Sequence, residues 1–259
     1  MRSITLLVHG DPGSGKSWLS NTAPGPRLMI DVEHRSQYLS DLRKDPSGSI
    51  PQDIVLWDPR EAVPAESSDP SVLTVVDAQH FGEVELAVRH LKAGGHPFRS
   101  VTLDSLQEAQ YLLLESISGV EQMRTQDWGE ALRRLGALIR DLTNLRVHRT
   151  NPVDAVVVVS GTQERDGKLR PALQGQISVK VAYLFDVVGF MQKGLNAEGE
   201  KVLYMTIDGF SSQEFVTKCN LHPLSQHYGE HVVFPDVSAM LQVLNHTLTA
   251  NPTKESDHE

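Results

Sequence analysis

The scarcities of this 259-residue chain constrain it first. It has one cysteine, Cys219, so no intrachain disulfide can form and a cysteine-rich zinc module is excluded. A reducing cytosol fits that usage. Long apolar runs are missing: the strongest, Ala155 to Val159, falls far short of the roughly 20 residues a membrane span needs. No secretory signal is visible, because the N-terminus runs straight into a short apolar segment and a glycine-rich loop. A cytoplasmic location without a membrane partner is the expectation. Basic charge is in deficit, with 24 Lys and Arg against 33 Asp and Glu, a net of −9. That balance opposes indiscriminate wrapping of nucleic acid but leaves room for a local basic loop. Eleven histidines show no H-E-x-x-H or similar spacing, and His222, His227 and His231 read as surface residues. There is no internal repeat and no clear linker. Hydrophobic residues at 39% and charged residues at 22% are ordinary globular values. One domain is expected over 1–248, with a polar, disordered tail at 249–259.

Short β-rich apolar runs occur at 3–8, 27–31, 73–76, 100–104 and 154–160. Their lack of polar alternation marks strands covered on both faces. Helical spacing occupies 81–92, ended by Gly94-Gly95, then a segment through Leu106, Leu113 and Ile117, and then about 128–145. A short helix is expected within 32–43, an irregular connection over 44–71 interrupted by Ile54 to Trp57, and a polar loop at 163–176. Residues 186–191 and 201–207 read as antiparallel strands joined by a turn at Asn196 to Gly199, and the last helix as 236–247. Alternating strands and helices predict an α/β fold with a mostly parallel central sheet flanked by helices and antiparallel strands toward the C-terminus.

Gly10-Asp11-Pro12-Gly13-Ser14-Gly15-Lys16-Ser17 fits G-x-x-x-x-G-K-[ST] in full. Glycines let backbone N–H groups turn inward around phosphate oxygens. Lys16 brings a charge to the β/γ-phosphates, and Ser17 offers a hydroxyl to Mg²⁺. The helix beginning here, through Trp18, aims its positive end at the same anion. ATP and Mg²⁺ are the expected cofactors. A carboxylate on a neighbouring strand is needed for the metal. Asp31, Asp77 and Asp104 all close apolar runs. Asp104 is preferred because Ser105 and a helix follow it, whereas Asp77 reads as a strand-to-helix cap. Hydrolysis also needs a group to orient or deprotonate water, and Glu33, just past the second strand, is the candidate base.

These residues resemble a family. Leu28 to His34 is similar to the RecA-type segment that carries the catalytic glutamate. Thr102-Leu103-Asp104-Ser105 resembles the Walker B of the phage RecA-like ATPases of the Sak single-strand annealing group. So do Gln126-Asp127-Trp128-Gly129 before a helix and Pro171 to Gly175 followed by Phe185-Asp186. Val156 to Ser160 with Thr162-Gln163 resembles the sensor strand of that core. The resemblance spans about 1–245. It implies a RecA-like core, ATP hydrolysis, single-stranded DNA binding, and a role in phage recombination or annealing alongside a single-strand-binding protein. It also implies ring or filament assembly, with Gln163 sensing the γ-phosphate. Such cores often carry two basic residues, one apart, that reach a neighbour's ATP; here Lys218 is present and Asn220 replaces the second.

DNA contacts are expected from the segment after Gln163, which holds Arg165, Lys168 and Arg170, with Lys180 beyond it. A ring of such loops sums its charge, so the net −9 is no bar. Arg124 to Trp128 would supply a second loop, with Trp128 stacking a base. Two other readings stay open on the residues alone: a small-molecule kinase with 163–170 as its lid, and a nucleotide-gated adaptor or loader for a replication protein.

Overall fold

A computed structural model describes residues 2–36, 53–119, 122–195, 198–208 and 214–249. The chain runs β1 (Ile4–Gly10), α1 (Lys16–Asn21), β2 (Arg27–Asp31), β3 (Asp53–Leu56), β4 (Val72–Asp77), α2 (Phe81–Ala93), β5 (Ser100–Asp104), α3 (Leu106–Ser118) and α4 (Thr125–Asn144). It continues with β6 (Ala155–Ser160), β7 (Thr162–Arg165), β8 (Lys168–Pro171), α5 (Ile177–Lys180), β9 (Val187–Leu195), β10 (Lys201–Thr206), β11 (Lys218–Cys219), α6 (His222–Tyr228), β12 (His231–Val233) and α7 (Val237–Thr249).

The large sheet has the order β12-β10-β9-β1-β6-β5-β2-β4-β3. Strands β9 through β3 in that list are parallel neighbours, while β10, β11 and β12 join antiparallel. Strand β6 lies between β1 and β5, so the phosphate-loop strand and the Asp104 strand are not adjacent. The sheet is mostly parallel, with antiparallel strands added late in the chain.

The uninterrupted Val and Leu runs make sense in this setting. Leu7, Val156, Val158 and Leu103 face one layer, formed with α2, α3 and α4. Leu6, Val8, Ala155 and Val157 face the other, formed with Leu19 of α1 and with Leu224, Met240 and Leu244. Each fully buried aliphatic of this kind contributes about 1.5–3 kcal/mol. Helix starts are specified locally. The Asp127 carboxylate accepts the Arg124 backbone N–H at 2.8 Å, and Ser105 Oγ accepts from Glu108 N at 3.4 Å.

Several expectations are corrected. The 163–176 segment is not a loop throughout: 162–171 is a β-hairpin with Asp166 and Gly167 at its turn, at φ 56° and 70°. Positive φ at both positions is the turn that suits the right-handed twist of two strands. Arg124 to Trp128 is not a second loop either; Arg124 caps α4 and Trp128 lies in its first turn. Helix α4 begins at Thr125 rather than about 128. Asp77 does not cap α2, whose capping box is His80 with Glu83; it pairs with His34. Strand β11, helix α6 and strand β12 had no counterpart in the pattern reading. The short helix expected within 32–43 falls mostly outside the described residues, as do Asn196 and Ala197 of the turn and the tail beyond Thr249. Among the described residues no helix is long and apolar enough to cross a membrane.

Candidate functional site

The loop from Gly10 to Gly15 joins β1 to α1. Gly15 has φ 92°, and a Cβ there would meet Leu203 Cδ1 at 2.9 Å, so both backbone and space require glycine. Lys16 Nζ donates to the carbonyls of Gly10 at 2.7 Å and Asp11 at 2.8 Å. Burial lowers the pKa of this amine, while the negative charges of Asp104, Glu33 and Asp11 act the other way.

Although β6 separates their strands, α1 brings Ser17 across to β5: Ser17 Oγ donates to Asp104 Oδ2 at 2.6 Å. Asp104 is 7% exposed, and its carboxyl is pushed up to about 6. Burial is the main cause, and the charges of Glu33 and Asp31 add to it, against the Ser17 hydrogen bond and Lys16. The acids around the strand ends separate by role. Asp31 is buried and accepts the N–H groups of Glu33 at 3.0 Å and Ser36 at 2.7 Å, which shapes the turn after β2. Glu33 stands on that turn, paired with Arg35 at 3.2 Å. Asp77, opposite Asp31 on β4, is paired with His34.

A hydroxyl and a buried carboxylate within hydrogen-bond distance form the oxygen donor set that Mg²⁺ takes. The negative charges of Glu33 and Asp31, which add to the effect of burial on Asp104, favour a cation there. Among the described residues no group of three or more His, Cys, Asp or Glu could hold a metal alone, as is usual where phosphates and water complete the shell. The glycine-rich loop and Lys16 likewise fit a nucleotide polyphosphate.

Other expected site residues lie elsewhere. Trp18 packs partly buried against the core beneath α1. The Gln163 amide donates to the carbonyls of Leu173 at 2.7 Å and Pro171 at 3.5 Å, bracing the segment after the hairpin. Lys218 is not a surface lysine: Nζ donates to Phe185 O at 2.7 Å and Ala182 O at 3.3 Å, and burial lowers its pKa.

The basic set divides too. Arg165 donates to Gly175 O at 3.0 Å and Ser178 Oγ at 2.9 Å. Arg170 is largely buried, 3.8 Å from Asp166. Lys168 and Lys180 are exposed, and the Arg124 side chain is exposed beside Asp127. Trp128, 37% exposed, stands between two clefts. One of about 380 Å³ is shared with Gln163, Arg165 and Gly175, the other of about 230 Å³ with Gln110, Leu132 and Ile177.

The pattern reading missed His9 and Arg35. His9 is fully buried at the end of β1, directly before the loop. Its Nε2 faces Val216 O at 2.8 Å, leaving Nδ1 to accept from Thr162 Oγ1 at 3.3 Å. It ties the phosphate-loop strand to β7 and to the segment leading to Lys218. A polar residue ending an apolar strand was the available signal; for Arg35 it was the spacing of two from Glu33.

A strand, phosphate loop and helix, with a buried aspartate on a strand one removed, are the parts of a P-loop ATPase domain. The chain belongs to the AAA domain family, whose sequence model matches residues 2–218. No curated protein matches it. Among solved structures it is similar to the flagellar accessory protein FlaH from Methanocaldococcus jannaschii, at 10% identity and a TM-score of 0.40, over 89% of this chain and 84% of that one. It is similar to the RadB recombinase at 12% identity and 0.42, over 78% and 79%. A third likeness is an ATPase from the type III secretion system of pathogenic bacteria, at 11% identity and 0.45, over 76% of this chain and 53% of that one.

Proposed function

We propose that this ATPase is Mg²⁺-dependent, binds single-stranded DNA and acts in phage homologous recombination or strand annealing, as the resemblance to the Sak group implies. The observation that carries the DNA reading is Trp128, half-exposed between two clefts and next to the basic hairpin β7–β8. A base has a flat face for the indole, and exposed Lys168 and Lys180 are free for phosphates. The hairpin is held by Leu169 N to Glu214 O at 2.7 Å and Val216 N to Leu169 O at 2.9 Å. That anchoring suits a fixed binding wall better than a kinase lid.

In this reading Lys16 binds the β/γ-phosphate oxygens, and Ser17 and Asp104 hold Mg²⁺. The bound metal would neutralise charge developing on those oxygens. Glu33 takes the proton of the attacking water, which requires its carboxylate to leave Arg35. Gln163 acts through the Leu173 carbonyl and the hairpin, linking the nucleotide end of β6 to the DNA wall. Lys218, committed to carbonyls of its own chain, receives no role. Assembly into a ring or filament and a single-strand-binding protein as partner belong to the same reading.

The test is the ATPase rate with and without oligo-dT, together with oligo-dT affinity by fluorescence anisotropy. Stimulation by the oligonucleotide is expected, with tighter binding in the presence of a non-hydrolysable ATP analogue. Equal rates and no measurable oligonucleotide binding would leave an ATPase without this DNA function.

A further inference from the structure

We infer that Lys193 is a second phosphate-binding cation of the nucleotide site, supplied by the same subunit from strand β9. The inference rests on the nucleotide reading of the Gly10–Ser17 loop and adds a residue outside that motif. Strand β9 runs parallel to β1, with Met191 opposite Gly10. There β1 turns into the phosphate loop, but β9 continues to Leu195, so its last residues overhang the loop.

Side chains alternate along a strand, and residues directly opposite in an antiparallel pair share a face. Met191 and Lys193 therefore share a face with Leu203, the partner of Lys193 on β10. That face looks onto the loop, because Leu203 Cδ1 and Met191 Cε stand 2.9 and 3.6 Å from the position of a Cβ on Gly15. Lys193 Nζ stands 3.7 Å from the corresponding position on Gly13. The ammonium is on an exposed residue and has no hydrogen-bond or ion-pair partner among the described residues.

An ammonium without an acceptor, held beside a loop whose backbone N–H groups are also donors, is matched by an anion. The polyphosphate that Lys16 addresses from within the motif is that anion. Lys218 offers a contrast: it too is a lysine on a late strand, but its amine is already bound to Phe185 O and Ala182 O.

The experiment measures the affinity of the full chain for Mg²⁺ with a fluorescent non-hydrolysable ATP analogue, without DNA. It compares wild type, Lys193→Ala, Lys193→Arg, Lys16→Ala and Lys201→Ala, each first checked for an unchanged melting curve. Lys201 is an exposed lysine on the same β9–β10 ribbon and controls for net charge. Lys193→Ala is expected to weaken binding about tenfold or more, the usual effect of losing one charge-assisted hydrogen bond. Lys193→Arg should retain most of the affinity, and Lys201→Ala all of it. Mixing Lys193→Ala with Lys16→Ala protein should not restore binding, since both cations serve one subunit's nucleotide. Wild-type affinity in Lys193→Ala, or an equal loss in Lys201→Ala, overturns the inference while leaving the nucleotide site intact if Lys16→Ala still abolishes binding. If wild type and Lys16→Ala both fail to bind, the nucleotide reading falls and the inference with it.

Discussion

Asp104, His9 and His96 are buried ionisable groups that burial holds toward their neutral forms, and they give the apoprotein a specific pH dependence. Burial lowers both histidines to about 4, so below 6.5 the unfolded chain takes up two protons that the folded chain refuses. Their contribution is lost as pH falls from 6.5 toward 4. Asp104, raised to about 6, acts with the opposite sign, since the folded chain keeps a proton there that the unfolded chain releases above about 4. The histidines outnumber the aspartate, so stability should rise between pH 4 and 6 by about 1.4 kcal/mol per pH unit from these groups. Asp104→Asn removes the opposing group and should roughly double that slope. Urea midpoints at pH 4.5 to 6.5 measure it; an unchanged or shallower slope in the variant would count against the assignment. Function at this scale separates by residue. Lys16→Ala should abolish nucleotide binding, read by titration. Glu33→Gln should keep binding and lose at least a hundredfold in turnover, because a carboxamide cannot accept the water's proton; normal turnover would remove Glu33 from the mechanism.

Among the elements, the hairpin β7–β8 joins the most chemistry. His9 reaches it from β1 through Thr162, Leu169 bonds to the 214–216 segment, and Arg165 and Gln163 brace the chain leading to α5. Its turn depends on Gly167 at φ 70°, where a β-branched side chain is strained. Gly167→Val should destabilise the hairpin by about 1–3 kcal/mol. Faster hydrogen exchange at the amides of Leu169 and Val216 would report it, with the core strands β1 and β6 unaffected. If those two amides exchange as in wild type, the hairpin does not depend on its turn.

At the scale of the whole molecule, the parallel sheet gathers the ends of β1, β2, β5 and β6 along one edge, where ligands bind on open α/β sheets. The geometry also decides which basic residues are worth testing against DNA. Arg165 is bound to Gly175 and Ser178 and Arg170 is largely buried beside Asp166, so removing either would also disturb the packing around the hairpin, and a loss of binding there would be ambiguous. Lys168 and Lys180 are exposed. Replacing both with alanine should weaken oligo-dT binding and make its salt dependence shallower by roughly 0.7 per lost phosphate contact. Trp128→Ala should cost about 1–3 kcal/mol per stacked base with the salt slope unchanged. Anisotropy titrations at several salt concentrations separate the two; unchanged affinity in both variants would move the DNA site elsewhere or remove it.

Local chemistry made much of this readable without coordinates. The loop Gly10–Ser17 is legible because its residue types have one common use in that order. The parallel strands are legible because burial on both faces leaves unbroken Val and Leu runs, and Asp104 because it ends such a run before a helix. The Asp166-Gly167 turn was readable in principle, since the pair carries its own backbone preference, but the polar residues around it masked the strands. What remained hidden depends on residues far apart in sequence. The buried His9 needs Thr162 and Val216, the occupied Lys218 needs Ala182 and Phe185, and the braced Arg165 needs Gly175 and Ser178. The approach of Lys193 to Gly13 arises only because β9 lies beside β1 and outruns it. A side chain's partners across a sheet are set by strand order and register, and neither is written in the local pattern of residues.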